Sequence, residues 1–345
     1  MNKQSGMTGR IKQEKSFSEL YSQYGIFVIL VVEMIAGALL SSKFFTGSNL
    51  TSVIRQNVFI AILGFGSTFV MLVGCINIAY DTMLAFTGCI ACMAYVATQN
   101  ALIALLVGIG VGMLLGYAYG CCVTYLRLPP FIVGLGISSI CEGAVLLVTN
   151  AIPISGITNT SFSWFGQGFI GPFSVPILIV LIMMMVTWFI LKRTTFGRHA
   201  VAVGDNKNAA ISSGIVADRV IRQVYILDGL CVGLAAVIFM SRLGSGQPSP
   251  GTGYGFDAIT GTVVGGSSLT GGSGGAIGTF IGVLIVGVLN NIMNLLRVNS
   301  YWQAVAKGVM ILIAVTIDNI TKSSVAKSGA RRLMKQRLKE ENKKQ

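Results

Sequence analysis

Residues 253–318 read GYGFDAITGTVVGGSSLTGGSGGAIGTFIGVLIVGVLNNIMNLLRVNSYWQAVAKGVMILIAVTID. Eleven glycines fall between Gly255 and Gly287, set in an otherwise apolar, β-branched background. In water each would cost a helix about 1 kcal/mol relative to alanine. In a bilayer the backbone must satisfy itself and small residues let helices approach closely, so the same glycines become packing surface. Gly274, Gly278 and Gly282 recur every four residues and predict one small-residue stripe, a helix-packing face of a tight bundle.

The composition agrees. Of 345 residues 53% are hydrophobic and 11% charged, with mean hydropathy +0.74. Soluble domains carry about 25% charged residues, so this is an integral membrane chain. Gly266 to Ser273 misses a phosphate-binding loop by one residue, because Gly272 stands where the lysine belongs. Nucleotide hydrolysis by this chain is not expected. The seven cysteines lie in apolar segments, and Cys89-x-x-Cys92 sits inside an apolar run with no second pair. They read as small packing residues rather than a redox or zinc site. His199 is the only histidine, too little for the usual metal or triad sites. No metal, cofactor or catalytic residue is expected.

Residues 1–24 are polar and basic, without the apolar core of a cleaved signal. Apolar spans follow near 25–42, 54–74, 82–98, 101–126, 130–148, 174–191, 222–242, 275–296 and 301–318. Twenty of the 25 Lys and Arg residues fall in 1–24, at Arg127, in 192–222 and in 319–345. The positive-inside rule places these regions in the cytoplasm. Nine crossings would leave the tail outside, so a tenth is needed. The glycine-rich stretch near 256–270 is the candidate, as a short or broken helix shielded by protein. The expected fold is an all-α polytopic membrane protein of about ten transmembrane helices, with room for two related halves. Its parts are a basic cytoplasmic N-terminus (1–24), a membrane domain (25–320) containing a cytoplasmic loop (192–221), and a basic tail (321–345).

The stretch resembles the inner-membrane permeases of ABC importers for ribose, xylose and related monosaccharides. Gly251-Thr252-Gly253-Tyr254, Asp257-Ala258-Ile259, Gly265-Gly266, Gly271-Gly272, Gly278-Thr279, Asn290-Asn291, Tyr301, Gln303, Lys307 and Asp318 stand in register with that family's pattern. The resemblance covers roughly residues 49–320. It implies the membrane subunit of an importer whose ATP is used by a separate cytoplasmic ABC ATPase. An extracytoplasmic solute-binding protein and a second permease chain, identical or homologous, would complete the system. Membrane lipids are the remaining partner; nucleic acid is not, because topology accounts for most of the +13 charge.

Within the loop after span six, Asp205 or Asn206 can cap a helix over 207–213 that Gly214 ends. So short a helix is marginal alone in water, and it makes sense if a partner grips it. The loop is similar to the family's coupling segment through Gly197-Arg198, Gly204, Asn206, Ala209-Ala210 and Ser213-Gly214-Ile215. The resemblance makes Gly204, Asp205, Asn206, Ala209, Ala210, Ser213 and Gly214 the ATPase-coupling residues.

Polar groups inside a membrane cost about 2.5–3.5 kcal/mol on insertion scales, so Glu33, Asp81, Glu142, Asp228, Asp257 and Lys307 should face the interior or a pathway. Lys307 is expected to pair with an acid as structural glue. Asn290 and Asn294 share a helical face, and with Asn291 they either bond across helices or touch a passing solute. The family's SGIDLSVGS pattern is altered at 74–82. Asn77 replaces the aspartate, Ala79 the serine and Asp81 a glycine, as though a charge had moved one helical turn. Asn77, Asp81, Glu142, Asn290, Asn291 and Asn294 are therefore the pathway candidates. The expected solute is a ribose-like monosaccharide or another small polar solute. Nucleosides or branched-chain amino acids are the nearer alternative, and an ion-coupled secondary transporter using Glu142 and Asp228 the remoter one.

Overall fold

The computed structural model describes residues 17–157, 161–249, 253–299, 301–313 and 315–316. Most of the basic N-terminal segment and all of the basic tail lie outside the described residues. The elements are α1 (Phe17–Leu40), α2 (Gly47–Leu72), α3 (Tyr80–Thr98), α4 (Ala101–Thr124), α5 (Pro130–Thr149), α6 (Trp164–Gln167), β1 (Phe169–Ile170), β2 (Phe173–Ser174), α7 (Val175–Arg193), α8 (Thr195–Asp205), α9 (Lys207–Ser212), α10 (Ala217–Leu243), α11 (Tyr254–Val264), α12 (Ala276–Leu295) and α13 (Tyr301–Ile313). Helices α2, α3, α4, α5, α7, α10 and α12 are long and apolar enough to cross a membrane; the apolar part of α1 (Gly25–Leu40) and α13 are shorter. The strands form only a small antiparallel hairpin leading into α7.

Local chemistry sets the boundaries. The Asn100 side chain accepts from the backbone N–H groups of Leu102 and Ile103 and starts α4. Prolines stand in the first turns of α5 and α7, where their missing N–H costs nothing. Helices α2 and α10 run through the centre, while α4, α5 and α7 present leucine, isoleucine and phenylalanine outward, as lipid requires.

The closest helix packing joins α4 to α10. Gly108, Gly112 and Gly116 recur every four residues and meet Gly233, Gly229 and Tyr225 backbone to backbone. A methyl group at Gly112 would overlap the Gly229 carbonyl oxygen, and one at Gly116 the Tyr225 oxygen. The glycine-rich stretch makes a second such contact between α11 and α12, where Gly278 faces the Gly265 carbonyl and Gly282 the Gly261 carbonyl. Gly274 does not belong to that stripe. It precedes α12, lies outside any helix, and packs on the Ser267 side chain.

The short glycine-rich segment is a half-helix of 11 residues followed by irregular backbone through Gly275. Within α11 only Tyr254, Phe256 and Val264 are not buried, so protein shields it. Cys89 and Cys92 are free thiols buried in the apolar core.

Candidate coupling segment and permeation cleft

The chain between α7 and α10 is more ordered than a loop. Residues 195–205 form α8, an 11-residue helix where the sequence suggests only connecting chain. The Thr194 side chain caps it by accepting from the Gly197 N–H at 3.2 Å. Gly197, Ala200 and Val203 face the core at intervals of three. Helix α9 then follows as expected. The Asn206 side-chain oxygen accepts from the Ala209 N–H at 3.0 Å, while Asp205 contributes no cap to it. Gly214, at φ +85°, closes the helix in a left-handed conformation that a side chain would strain. The Ile215 N–H reaches back to the Ala210 carbonyl at 3.0 Å. An exposed ion pair, Lys207 to Asp218 at 3.1 Å, ties α9 to the start of α10.

The two adjacent alanines part company. Ala209 is exposed, but Ala210 is 4% exposed and sits in the apolar cluster formed with Leu72, Val203, Ala217 and Val220. Ala210 therefore holds α9 onto the protein and cannot be a surface contact. Ile211 and Val216, 52% and 57% exposed, lie beside the exposed Ala209, Ser213 and Gly214. Two exposed aliphatic side chains in a stretch otherwise polar form a small apolar patch.

Residues 73–79, between α2 and α3, are irregular backbone held inside the bundle. The Ile76 carbonyl accepts from the Tyr225 hydroxyl at 3.2 Å and shares the Tyr119 hydroxyl, at 3.0 Å, with the Pro130 carbonyl at 2.7 Å; the two rings stack 4.3 Å apart. Two phenols thus supply what water would outside a membrane. Asn77 donates to a carboxylate oxygen of Asp228 at 2.8 Å, and the Tyr80 hydroxyl donates to the other at 2.9 Å. The altered motif is explained differently from the expected shift along a helix. Residues 73–79 are not helical, and the carboxyl group opposite Asn77 comes from α10. Asp81 acts elsewhere. Its carboxylate accepts from the N–H groups of Gly253 and Gly255, both at 2.8 Å, and caps the half-helix α11.

The other candidates divide among interhelical contacts. Lys307 pairs with Asp257 at 2.8 Å, the expected glue between α13 and α11. Asn290 donates to the same carboxylate at 3.4 Å. Asn291 exchanges hydrogen bonds with Asn49 of α2, and Asn294 accepts from Gln303 at 2.9 Å. Glu142 is exposed on the outward face of α5, between Ser139 and Gly143.

A cleft of about 230 Å³ opens between the 73–79 connector, α11 and the 311–315 end of the described chain. Its walls are Ile76, Ile78, Phe256, Ile259, Thr260 and Val263, with Leu269, Ile311 and Val315 completing it. None of the six pathway candidates lines it; Asn77 lies between two residues that do. Apolar walls with one hydroxyl hold a polar solute weakly.

A polytopic bundle with a shielded half-helix and a capped short helix anchored on its core is an architecture that suits a membrane transport subunit. The family model described as branched-chain amino acid transport system / permease component matches residues 49–315, and the chain belongs to that family. The ribose import permease protein RbsC of Bacillus subtilis (strain 168) is 38% identical over 303 residues, covering 88% of this chain and 94% of that one. The D-allose transport system permease protein AlsC of Escherichia coli (strain K12) is 35% identical over 91% of this chain and 99% of its own. The fructose import permease protein FrcC of Rhizobium meliloti is 33% identical over 84% and 83%. No solved structure matches the chain.

Proposed function

We propose that this chain is the membrane-spanning subunit of an ABC importer that carries a ribose-like monosaccharide into the cell. The observation that carries the reading is the capped, core-anchored helix α9, which offers Ala209, Ile211 and Ser213 to a partner while performing no chemistry itself. Relatives that import ribose, allose and fructose support the solute class. A cytoplasmic ABC ATPase would grip α9, and an extracytoplasmic binding protein would deliver the solute. Glu142 supports a second permease chain: a carboxylate on the outer face of an apolar helix would cost about 2.5–3.5 kcal/mol against lipid. A partner helix or the pathway beyond it relieves that cost.

Replacing Ala209 by glutamate tests the grip, because the residue is exposed and its change leaves the core intact. Solute uptake and co-purification of the ATPase should both fall at least about tenfold at unchanged permease level. Uptake that persists with the ATPase still bound would overturn the assignment.

The ten-crossing topology, with α11 as the short crossing and both ends in the cytoplasm, has its own test. Reporter fusions after Gly272 and at Gln345 should both report cytoplasm. A C-terminus found outside sinks the count. The two related halves would be α2–α5 and α10–α13.

A further inference from the structure

The coupling segment has an inner end that packs closely on two other stretches of backbone. Gly204, at the end of α8, lies against the carbonyl of Leu72, the last residue of α2. A Cβ there would overlap that oxygen and stand 2.6 Å from the Gly272 nitrogen. The Gly272 N–H itself donates to the Leu72 carbonyl at 3.0 Å. Gly271 and Gly272, at φ +96° and +79°, belong to the irregular chain between α11 and α12. A Cβ on Gly271 would come 2.7 Å from the Gly204 oxygen, and one on Gly272 would overlap the Asp205 carboxylate. Three separate stretches of backbone thus meet with no side chain between them.

What leaves this point leads to the cleft. Leu72 runs directly into 73–79, whose Ile76 and Ile78 form one wall. Gly74 continues the contact, since a Cβ on it would lie 3.2 Å from the Thr270 oxygen. Residues 265–275 follow α11, whose Ile259, Thr260 and Val263 form the facing wall. The far end of α11 is tied to α3 through Asp81. Outward, Gly204 is two residues from Asn206, the cap of α9.

We propose that the Gly204–Leu72–Gly272 junction is the joint that transmits movement of the ATPase-bound helix α9 to both walls of the cleft. Gly204, packed on Leu72 and Gly272, and Asp205, whose exposed carboxylate covers Gly272, then act as positioning residues rather than contacts of the ATPase, and Gly271 and Gly272 join them as coupling residues. The inference rests on α9 being the ATPase grip. Backbone packed on backbone has no rotamer that can absorb a displacement, so a push on α9 reaches the connector and the foot of α11 together.

The test is Gly272→Ala in the assembled importer, read by ATPase co-purification, ATP hydrolysis and uptake of radiolabelled ribose in proteoliposomes. The ATPase should stay bound and hydrolyse within about twofold of the unaltered complex, while ribose moved per ATP falls at least about tenfold. Adding Asp205→Ala removes the overlap but not the backbone strain, and should restore severalfold of the lost transport. Unchanged transport per ATP, release of the ATPase, or no recovery in the double variant would each overturn the joint. Should Gly272→Ala fail to accumulate, hydrogen–deuterium exchange on the unaltered complex decides. Nucleotide binding should change exchange in 73–79 and 265–275 together, and a change confined to α9 overturns the proposal. An Ala209→Glu variant that keeps its ATPase would instead refute the grip on which the joint depends.

Discussion

Replacing Gly112 by leucine should abolish accumulation of the folded permease. Gly112 faces the Gly229 carbonyl, with the Gly233 nitrogen and Cα only 2.8 and 3.0 Å from where a Cβ would sit. Everything it would strike is backbone, so no side chain can turn aside. Overfilling a packed interior costs about 1–3 kcal/mol when neighbours can adjust, and more when they cannot. Here the two helices must separate, which also parts Gly108 from Gly233 and Gly116 from Tyr225. The damage runs further, because α4 and α10 carry the Tyr119–Tyr225 stack that satisfies the Ile76 carbonyl. Gly110 is the control: a Cβ there meets nothing within 4 Å, so Gly110→Leu should be tolerated. Size-exclusion chromatography of detergent extracts reads both variants. A single sharp peak of normal yield from Gly112→Leu would mean that α4 and α10 do not approach as described.

Replacing Asn77 by aspartate, the residue of the SGIDLSVGS pattern that the sequence resembles, should strongly destabilise this protein. The Asn77 amide donates to Asp228, which is 1% exposed. An aspartate there replaces a donor with a second carboxyl group facing the first. Losing a partner of a buried polar group costs about 1–3 kcal/mol, and more for a charged one. The exchange N77D/D228N returns one amide and one carboxyl group to the site and should recover more than half of the lost melting temperature. Thermal unfolding in detergent measures the three variants. A neutral N77D would show that the Asn77–Asp228 bond contributes nothing, and failure of the exchange would show that Tyr80 requires a carboxylate on α10.

Local features are legible in the sequence, and those depending on distant chain are not. The cap and stop of α9 can be read from Asn206 and Gly214, because both act within a few residues of themselves. The half-helix follows from charge parity, and the pairing of Lys307 from the cost of a lone ammonium group in a membrane. Helix α8 escapes such a reading because its apolar face is only Gly197, Ala200 and Val203, residues too small to give a strong periodic signal. The four-residue glycine spacing on α4 is visible, but its complement on α10 lies more than a hundred residues away. Asp81 serves two N–H groups 172 and 174 residues further on, a pairing no local pattern announces. Ala209 and Ala210 look alike in a six-residue helix, and only the packed structure says which one points inward.

The Lys307–Asp257 pair also constrains how the protein is made. The carboxyl group enters the bilayer fifty residues ahead of its ammonium partner. At synthesis rates of about 5–20 residues per second that interval lasts several seconds. Throughout it the growing chain carries an acid whose counter-charge has not yet been translated. A polypeptide cut short before α13 never receives it. Helix α13 thus neutralises a charge that the half-helix brought in.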